Sequence, residues 1–139
     1  MNPEQILIDT SAWIVSFKKI GNPQLKEFLK KLILAGLAVT SPIIILELLQ
    51  GCRTLEERDS LKIKLESLDL LSITEAVWER SYEIAFSLRK KGLTIPTADL
   101  IIAAAAIENN SLILHQDEHF EMITHHYPIL QTKHFGLSA

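Results

Sequence analysis

Four carboxylates in this chain stand in apolar surroundings, where a charged side chain is costly unless something compensates it. Asp9 and Asp117 each follow closely on a run of three aliphatic residues. Glu47 is the one polar residue between positions 43 and 49, and Asp99 precedes eight consecutive aliphatic or alanine residues. Carboxylates that meet within a few ångströms take up protons unless a cation lies among them, so convergence of the four would create a cation site.

Oxygen ligands without cysteine or clustered histidine are typical of Mg²⁺ or Mn²⁺ rather than zinc. A metal of this kind binds a phosphodiester oxygen and makes a bound water more acidic, which is the chemistry of metal-assisted phosphoryl hydrolysis. Each acid also has a purely structural interpretation. Asp99, for example, would lie in the first turn of a helix, where the helix dipole stabilises the ionised form of a carboxylate.

The elements that must position these acids alternate between strand and helix. Three consecutive aliphatic residues are typical of a strand buried on both faces, as in a parallel sheet covered by helices. Strands are predicted at 6–8, 37–40, 70–73, 111–114 and 129–131. The ligand-binding crevice of such a sheet lies at the carboxyl ends of its strands, where Asp9 and Asp117 would lie.

Helix caps and apolar spacing predict the helices between these strands. The predicted helices are 11–17, 23–35, 43–50, 55–68, 75–91, 98–108 and 118–124. The helix at 43–50 should be buried all round, and the helix at 75–91 should turn Trp78, Tyr82, Ala85 and Leu88 inward. Because no short hairpin turn joins the strands, we expect an α/β fold, a three-layer α/β/α sandwich around a mainly parallel sheet of four to five strands.

The composition indicates one globular domain spanning 1–139, with 47% hydrophobic and 22% charged residues. Its single cysteine, Cys52, cannot form an internal disulfide, so a cytoplasmic location is the default expectation. The uncharged run at 32–46 is shorter than the about 20 residues of a membrane-spanning helix, and residues 1–5 lack the basic start of a signal peptide. A net charge of -3 argues against non-specific coating of nucleic acid but leaves room for a local site.

The segments that hold the four acids carry a resemblance to a known family. Segments 6–11, 41–51, 96–104 and 112–120, in this order, resemble the PIN-domain family, and most closely its VapC-type toxin ribonucleases. The resemblance covers nearly the whole chain. It implies a small α/β/α fold, Mg²⁺- or Mn²⁺-dependent endoribonuclease activity that leaves a 5′-phosphate and a 3′-hydroxyl, and a homodimer. It also implies inhibition by a cognate VapB-type antitoxin whose C-terminal segment lies in the active-site groove.

The resemblance also implies roles for individual residues. Carried over by position, the metal ligands would be Asp9, Glu47, Asp99 and Asp117. The hydroxyl of Ser11, or of Thr10, would orient a water or the metal. The family commonly has Thr or Ser two residues before its last acid, where this chain has His115, so His115 would contact the RNA or face solvent.

Other functions fit the residues less well. A phosphatase with an aspartyl nucleophile needs a second Asp two residues after the first, and that position is Ser11. A phospho-acceptor receiver domain needs paired acids after the first strand and a late lysine. Zinc is disfavoured because a strand-to-helix turn separates His115 from His119 and no cysteine joins them. A non-catalytic PIN-like module that binds RNA or protein remains the main alternative.

Overall fold

The central element of the computed structural model, which describes residues 4–135, is a five-stranded sheet in which every neighbouring pair is parallel. Its strands are β1 (Ile6–Ile8), β2 (Ala38–Thr40), β3 (Asp69–Leu70), β4 (Leu112–His115) and β5 (Thr132–His134). Their spatial order is β3-β2-β1-β4-β5, so β1 lies in the middle. Residues 1–3 and 136–139, which the single-domain prediction includes, lie outside the described residues.

Helices connect the strands and flank the sheet in the predicted α/β/α arrangement. They are α1 (Thr10–Phe17), α2 (Pro23–Leu34), α3 (Pro42–Gln50), α4 (Leu55–Glu66), α5 (Glu75–Lys90), α6 (Thr97–Glu108) and α7 (Glu118–His126). Asn22, Thr54 and Thr74 cap α2, α4 and α5 through their side chains, as polar residues at these positions predict. Within residues 4–135, no helix is both long and apolar enough to cross a membrane.

The core explains why β1 and β4 read as uninterrupted aliphatic runs. Leu7, Ile8, Ile113 and Leu114 are fully buried, because helices cover both faces of these central strands. The alanines at 103–106 are also buried, and their small side chains let α6 lie close to its neighbours. The acids at the carboxyl ends of these strands are therefore attached to the fully buried centre of the sheet.

Two predicted details are wrong. The helix α5 buries Val77, Ser81, Ile84 and Leu88, whereas Trp78 and Tyr82 are 40% and 59% exposed. The Ser81 hydroxyl can be buried because it donates to the Val77 carbonyl. The face with Ser81 therefore packs inward, and the aromatic face of the helix stays outside. The helix α3 is not buried all round either, because it packs through one side and Leu46 is 61% exposed.

The edge strands also differ from prediction. The strand β5 lies at 132–134 rather than 129–131, and β3 is a two-residue strand at 69–70. Leu130, which suggested a strand at 129–131, is buried but belongs to a turn in which its N–H donates to the Tyr127 carbonyl. Edge strands are exposed on one side and carry polar residues, so their apolar pattern is weak.

Candidate active site

The parallel pairing of β1 with β4 brings two of the predicted acids to one edge of the sheet. Ile8 lies opposite Leu114, and the Asp9 N–H donates to the Leu114 carbonyl at 3.0 Å. Asp9 is then the N-cap of α1, and Asp117 is the N-cap of α7. Both carboxylates therefore lie where a strand ends and a helix begins, as the sheet geometry predicts.

Asp9 is the most buried of the four acids, with 2% of its surface exposed. Its Oδ2 accepts the Ser11 N–H at 3.0 Å and the Ser11 hydroxyl at 2.6 Å, whereas its Oδ1 is buried without a hydrogen-bond partner. Burial raises the pKa of Asp9 to about 6, against the effect of the two Ser11 bonds, and the charges of Glu47 and Asp117 add to the rise. Asp9 thus has one oxygen, Oδ2, that is fixed by Ser11 and another, Oδ1, that has no hydrogen-bond partner.

The Ser11 hydroxyl connects the two strand ends. It donates its proton to Asp9 and accepts the Gln116 N–H at 2.9 Å, so it joins the start of α1 to the β4–α7 connection. Sequence reasoning placed this hydroxyl toward a water or the metal. In the structure its one proton is donated to the Asp9 carboxylate, and its role towards a water or the metal stays a prediction.

Glu47 reaches the same region from α3. Its Oε1 accepts the Thr10 hydroxyl at 2.7 Å, and this bond joins α3 to the first residue of α1. Thr10 is therefore the partner that a carboxylate in an aliphatic helix requires. The negative charge of Glu47 contributes to the raised pKa values of Asp9 and Asp99, which shows that the three groups share one electrostatic environment.

Asp99, in the first turn of α6, is 6% exposed. The pKa of Asp99 is raised to about 8, chiefly by burial, with contributions from the hydrogen bond with Asp117 and from the charges of Asp117, Asp9 and Glu47. The expectation that the helix dipole would hold Asp99 ionised is therefore wrong, because burial and neighbouring charge outweigh the dipole.

Asp117 behaves in the opposite way from Asp99. Burial opposes the ionisation of Asp117, but its hydrogen bonds with the His119 N–H and with Asp99 outweigh that effect, so the pKa of Asp117 is lowered. Without a cation, the raised pKa of Asp99 and the lowered pKa of Asp117 mean that the two neighbouring carboxyls do not ionise independently. This is the response expected of carboxylates forced together.

His119 is the site residue that sequence reasoning missed. Its Nδ1 lies 3.1 Å from Asp99 Oδ2 and 2.9 Å from Asp117 Oδ1. In the sequence His119 stands out only as a possible partner of His115, whereas in the structure the His115 imidazole lies against Glu121 and the His119 imidazole against Asp99 and Asp117. The available signal was different: His119 stands two residues after an N-cap acid, so its own N–H binds that acid at 2.9 Å.

His115 is fully buried, so the expectation that it contacts RNA or faces solvent is wrong. Its Nδ1 accepts the Asp117 N–H at 3.1 Å, and its Nε2 lies 3.5 Å from Glu121 Oε1. Burial, with a smaller contribution from His134, lowers the pKa of His115 to about 4 despite the opposing charge of Glu121. A neutral imidazole therefore supports the turn that carries Asp117.

The residues present fit a divalent metal. Among residues 4–135, Asp99, Asp117 and His119 offer ligand atoms that all lie within 4.8 Å of one another. Asp9 and Glu47 lie around this group rather than in it. Three atoms in the site, Asp9 Oδ1, Asp99 Oδ2 and His119 Nδ1, are buried without a hydrogen-bond partner. A cation would satisfy such atoms, and an oxygen-rich set is suited to Mg²⁺ or Mn²⁺.

Cys52 and Trp13 lie apart from these contacts. The Cys52 thiol contacts the Leu48 carbonyl at 3.6 Å, just after α3. Trp13 is buried and stacks on Phe17 at 6.0 Å between ring centroids, as expected of a core residue.

The chain is similar in sequence to proteins of one family over most of its length. The family model described as PIN domain matches residues 6–125. The chain is 31% identical over 122 residues to a VapC ribonuclease, Mb1587, of Mycobacterium bovis, a match that covers 85% of this chain and 90% of that protein. It is 33% identical over 134 residues to a Ribonuclease VapC1 of Methanocaldococcus jannaschii, covering 96% of this chain and 85% of that protein.

The fold is similar to that of solved structures as well. VapBC2 from Rickettsia felis, solved bound to a DNA fragment from its promoter, superposes with a TM-score of 0.76 at 24% identity. That match covers 92% of this chain and 96% of the other. At this level of identity the likeness shows a common fold.

Proposed function

The chain belongs to the PIN-domain family, and on that premise we propose that it is an endoribonuclease of the VapC type, which uses a divalent metal to hydrolyse RNA. Its catalytic residues would be Asp9, Glu47, Asp99 and Asp117, with Ser11 in support. The ion would be Mg²⁺ or Mn²⁺. As a VapC-type protein, it would be the toxin of a toxin–antitoxin pair and would act in the cytoplasm.

The observation that carries this proposal is the electrostatic state of the four acids. They come from four different elements, yet burial, together with the charges of the other acids, raises the pKa of Asp9 to about 6 and that of Asp99 to about 8. A fold maintains such a cluster at a cost in stability, and clusters of this kind are concentrated at functional sites. The buried, unpaired oxygens of Asp9 and Asp99 supply the reason for a cation there.

The bound ion would supply positive charge to a phosphate oxygen and acidity to a water, and the chain would supply the positions. Ser11 fixes the rotamer of Asp9, and Thr10 fixes that of Glu47. Because the pKa of Asp99 is raised, binding of a metal by its carboxylate would be coupled to the release of a proton. The support of Asp9 and Glu47 by hydroxyls from adjacent residues of α1 makes this helix the positioning element of the site.

A cleavage assay with matched variants tests the proposal. RNA is incubated with the protein in Mg²⁺, in Mn²⁺ or in a chelator, using wild type, Asp9→Asn and Asp69→Asn. Asp69 is an exposed carboxylate on β3, so its replacement controls for loss of charge elsewhere. Cleavage should require a metal, survive Asp69→Asn and disappear in Asp9→Asn. Undiminished cleavage by Asp9→Asn would reject the site.

The ends of the RNA products, and a failure of the wild-type protein to cleave RNA, also test the proposal. Sequencing of RNA 5′ ends after a pulse of expression should find 5′-phosphates at a restricted set of positions. If wild-type protein binds the metal but cleaves no RNA under any of these conditions, the non-catalytic binding module replaces the nuclease as the function.

The proposed partner is a VapB-type antitoxin that covers the acidic site. Its C-terminal segment would present arginine, because a guanidinium pairs with carboxylates through two parallel hydrogen bonds. Expression from the native operon with a tag on this chain should co-purify a small protein, and the complex should cleave RNA more slowly than the free chain. Recovery of the chain alone at full abundance would count against this partner.

A homodimer is the second proposed assembly. The exposed face of α5 carries Trp78, Tyr82 and Phe86, spaced one helical turn apart, with Phe86 66% exposed. Aromatic side chains of this kind are enriched in protein interfaces. Sedimentation should give twice the chain mass, and a monomeric mass at micromolar concentration would contradict the proposal.

A further inference from the structure

We propose that His119 is a direct nitrogen ligand of the divalent ion in this site, so that the site is built from oxygen and imidazole and prefers Mn²⁺ to Mg²⁺. The inference rests on the proposed function only in that the site binds a metal. It does not require that RNA be the substrate.

The contacts of His119 are short but are not hydrogen bonds. Nδ1 lies 3.1 Å from Asp99 Oδ2 and 2.9 Å from Asp117 Oδ1, yet it is buried without a hydrogen-bond partner. Asp99 Oδ2 is in the same condition. His119 Nδ1 and the Asp99 and Asp117 oxygens are close enough together for a single cation, at one position, to contact all of them. A cation at that position would satisfy the nitrogen and the oxygens together.

The backbone around His119 is already organised for this role. The His119 N–H donates to Asp117 Oδ1 at 2.9 Å, and the Asp117 N–H donates to the buried imidazole of His115 at 3.1 Å. The next residue, Phe120, is fully buried and anchors the first turn of α7. The Asp117 and His119 side chains are thus held on a rigid helix start, and a metal site requires this precision.

An imidazole ligand alters which metal the site prefers. Mg²⁺ favours an all-oxygen octahedron with several waters, whereas imidazole is a better donor to transition metals. Loss of the His119 ligand should therefore weaken Mn²⁺ binding by about 10–100-fold. Removal of outer-shell partners in metal sites already has an effect of this size. Mg²⁺ binding should change by a smaller factor.

A different role for His119 predicts the opposite sign. If its imidazole is a positive counter-ion that neutralises Asp99 and Asp117, then a metal must displace it, and its removal should tighten metal binding. The direction of the change in Mn²⁺ affinity therefore separates a ligand from a counter-ion.

The experiment is Mn²⁺ binding by the full chain, followed by electron paramagnetic resonance. The signal of free Mn²⁺ gives the affinity, and nitrogen modulation of the bound-Mn²⁺ spin echo reports a coordinated imidazole. The variant is His119→Gln, and the matched control is His125→Gln, an exposed histidine in the last turn of the same helix. Wild type and His125→Gln should show nitrogen modulation, and His119→Gln should lose it together with about 10–100-fold in Mn²⁺ affinity.

Three outcomes would overturn the inference: bound Mn²⁺ in wild type without nitrogen modulation, an unchanged or higher Mn²⁺ affinity in His119→Gln, or no Mn²⁺ binding at all. The wild-type spectrum decides the first even if the variant folds poorly. RNA cleavage without nitrogen modulation would leave the nuclease proposal standing and remove the ligand. Nitrogen modulation without RNA cleavage would support His119 as a ligand and count against the nuclease proposal.

Discussion

Replacement of Asp9 by Asn should stabilise the metal-free protein at neutral pH and remove most of its response to Mg²⁺. Asn has nearly the same volume as Asp, and its Oδ1 can still accept the Ser11 N–H and hydroxyl, so the cap of α1 should survive. What disappears is a negative charge that is buried beside Glu47 and Asp117. The variant therefore isolates the electrostatic strain at one ligand position.

The size of the effect follows from the pKa of Asp9. Folding raises that pKa from 3.8 to about 6, and each pKa unit corresponds to about 1.4 kcal/mol of free energy. The ionised carboxylate thus destabilises the folded state by about 3 kcal/mol relative to the unfolded chain. In a domain of this length, removal of that penalty raises the melting temperature by about 10 °C.

The pH dependence has a definite sign. Because the folded pKa is raised, the folded state binds the proton more tightly than the unfolded chain does, so stability falls as pH rises from about 4 to about 6. Below that range both states are protonated and the penalty is absent. The stability difference between Asp9→Asn and wild type should therefore be small near pH 4, grow through this range and level off above it.

Urea unfolding in a chelator, at a series of pH values, measures the free energy of unfolding of wild type, Asp9→Asn and the exposed control Asp69→Asn. Mg²⁺ at about 100 times its dissociation constant should then add about 2.7 kcal/mol to wild type and to the control, but little to Asp9→Asn. A metal-free Asp9→Asn protein no more stable than wild type at pH 8, or a stability difference that does not change with pH, would refute the reasoning.

Two further substitutions test the hydroxyls that hold the acids. Ser11→Ala leaves the Gln116 N–H without its acceptor and removes a hydrogen bond to Asp9, so the free energy of unfolding should fall by about 1–3 kcal/mol. Ser11→Thr keeps the hydroxyl and should retain most of the wild-type stability. Equal urea midpoints for Ser11→Ala and wild type would contradict this expectation. Thr10→Val removes the hydrogen bond to Glu47 at nearly constant side-chain volume, so the Mn²⁺ affinity measured by titration should fall by about 10–100-fold. Thr10→Ser keeps the hydroxyl and should restore the affinity. Wild-type affinity in Thr10→Val would show that the Glu47 rotamer does not need this hydrogen bond.

Local patterns in the sequence determined most of the fold. The aliphatic runs before Asp9 and Asp117 predict strands buried on both faces, and the structure has β1 and β4 adjacent and parallel in the centre of the sheet. The caps at Thr54 and Thr74 predict helix starts to within a residue. These features are readable because a cap or a run of aliphatic residues depends on neighbours within one turn or one strand.

The sequence also indicated that four acids in apolar contexts should converge, and the structure brings them into one electrostatic environment. Their roles as catalytic residues and metal ligands stay predictions. The tight cluster of possible ligand atoms consists of Asp99, Asp117 and His119, with Asp9 and Glu47 beside it. No pattern along the chain distinguishes a carboxylate in the tight cluster from one held beside it.

Tertiary structure alone decided the raised pKa of Asp99, the burial of His115 and the inward face of α5. A helix dipole acts within one turn, but Asp99 meets Asp117 and Asp9, which are distant in sequence, in a buried site, and their charges together with burial set its pKa. The pKa of His115 likewise depends on Glu121 and His134. Burial and Coulomb energy are sums over spatial neighbours, and those neighbours exist only once the strands have paired.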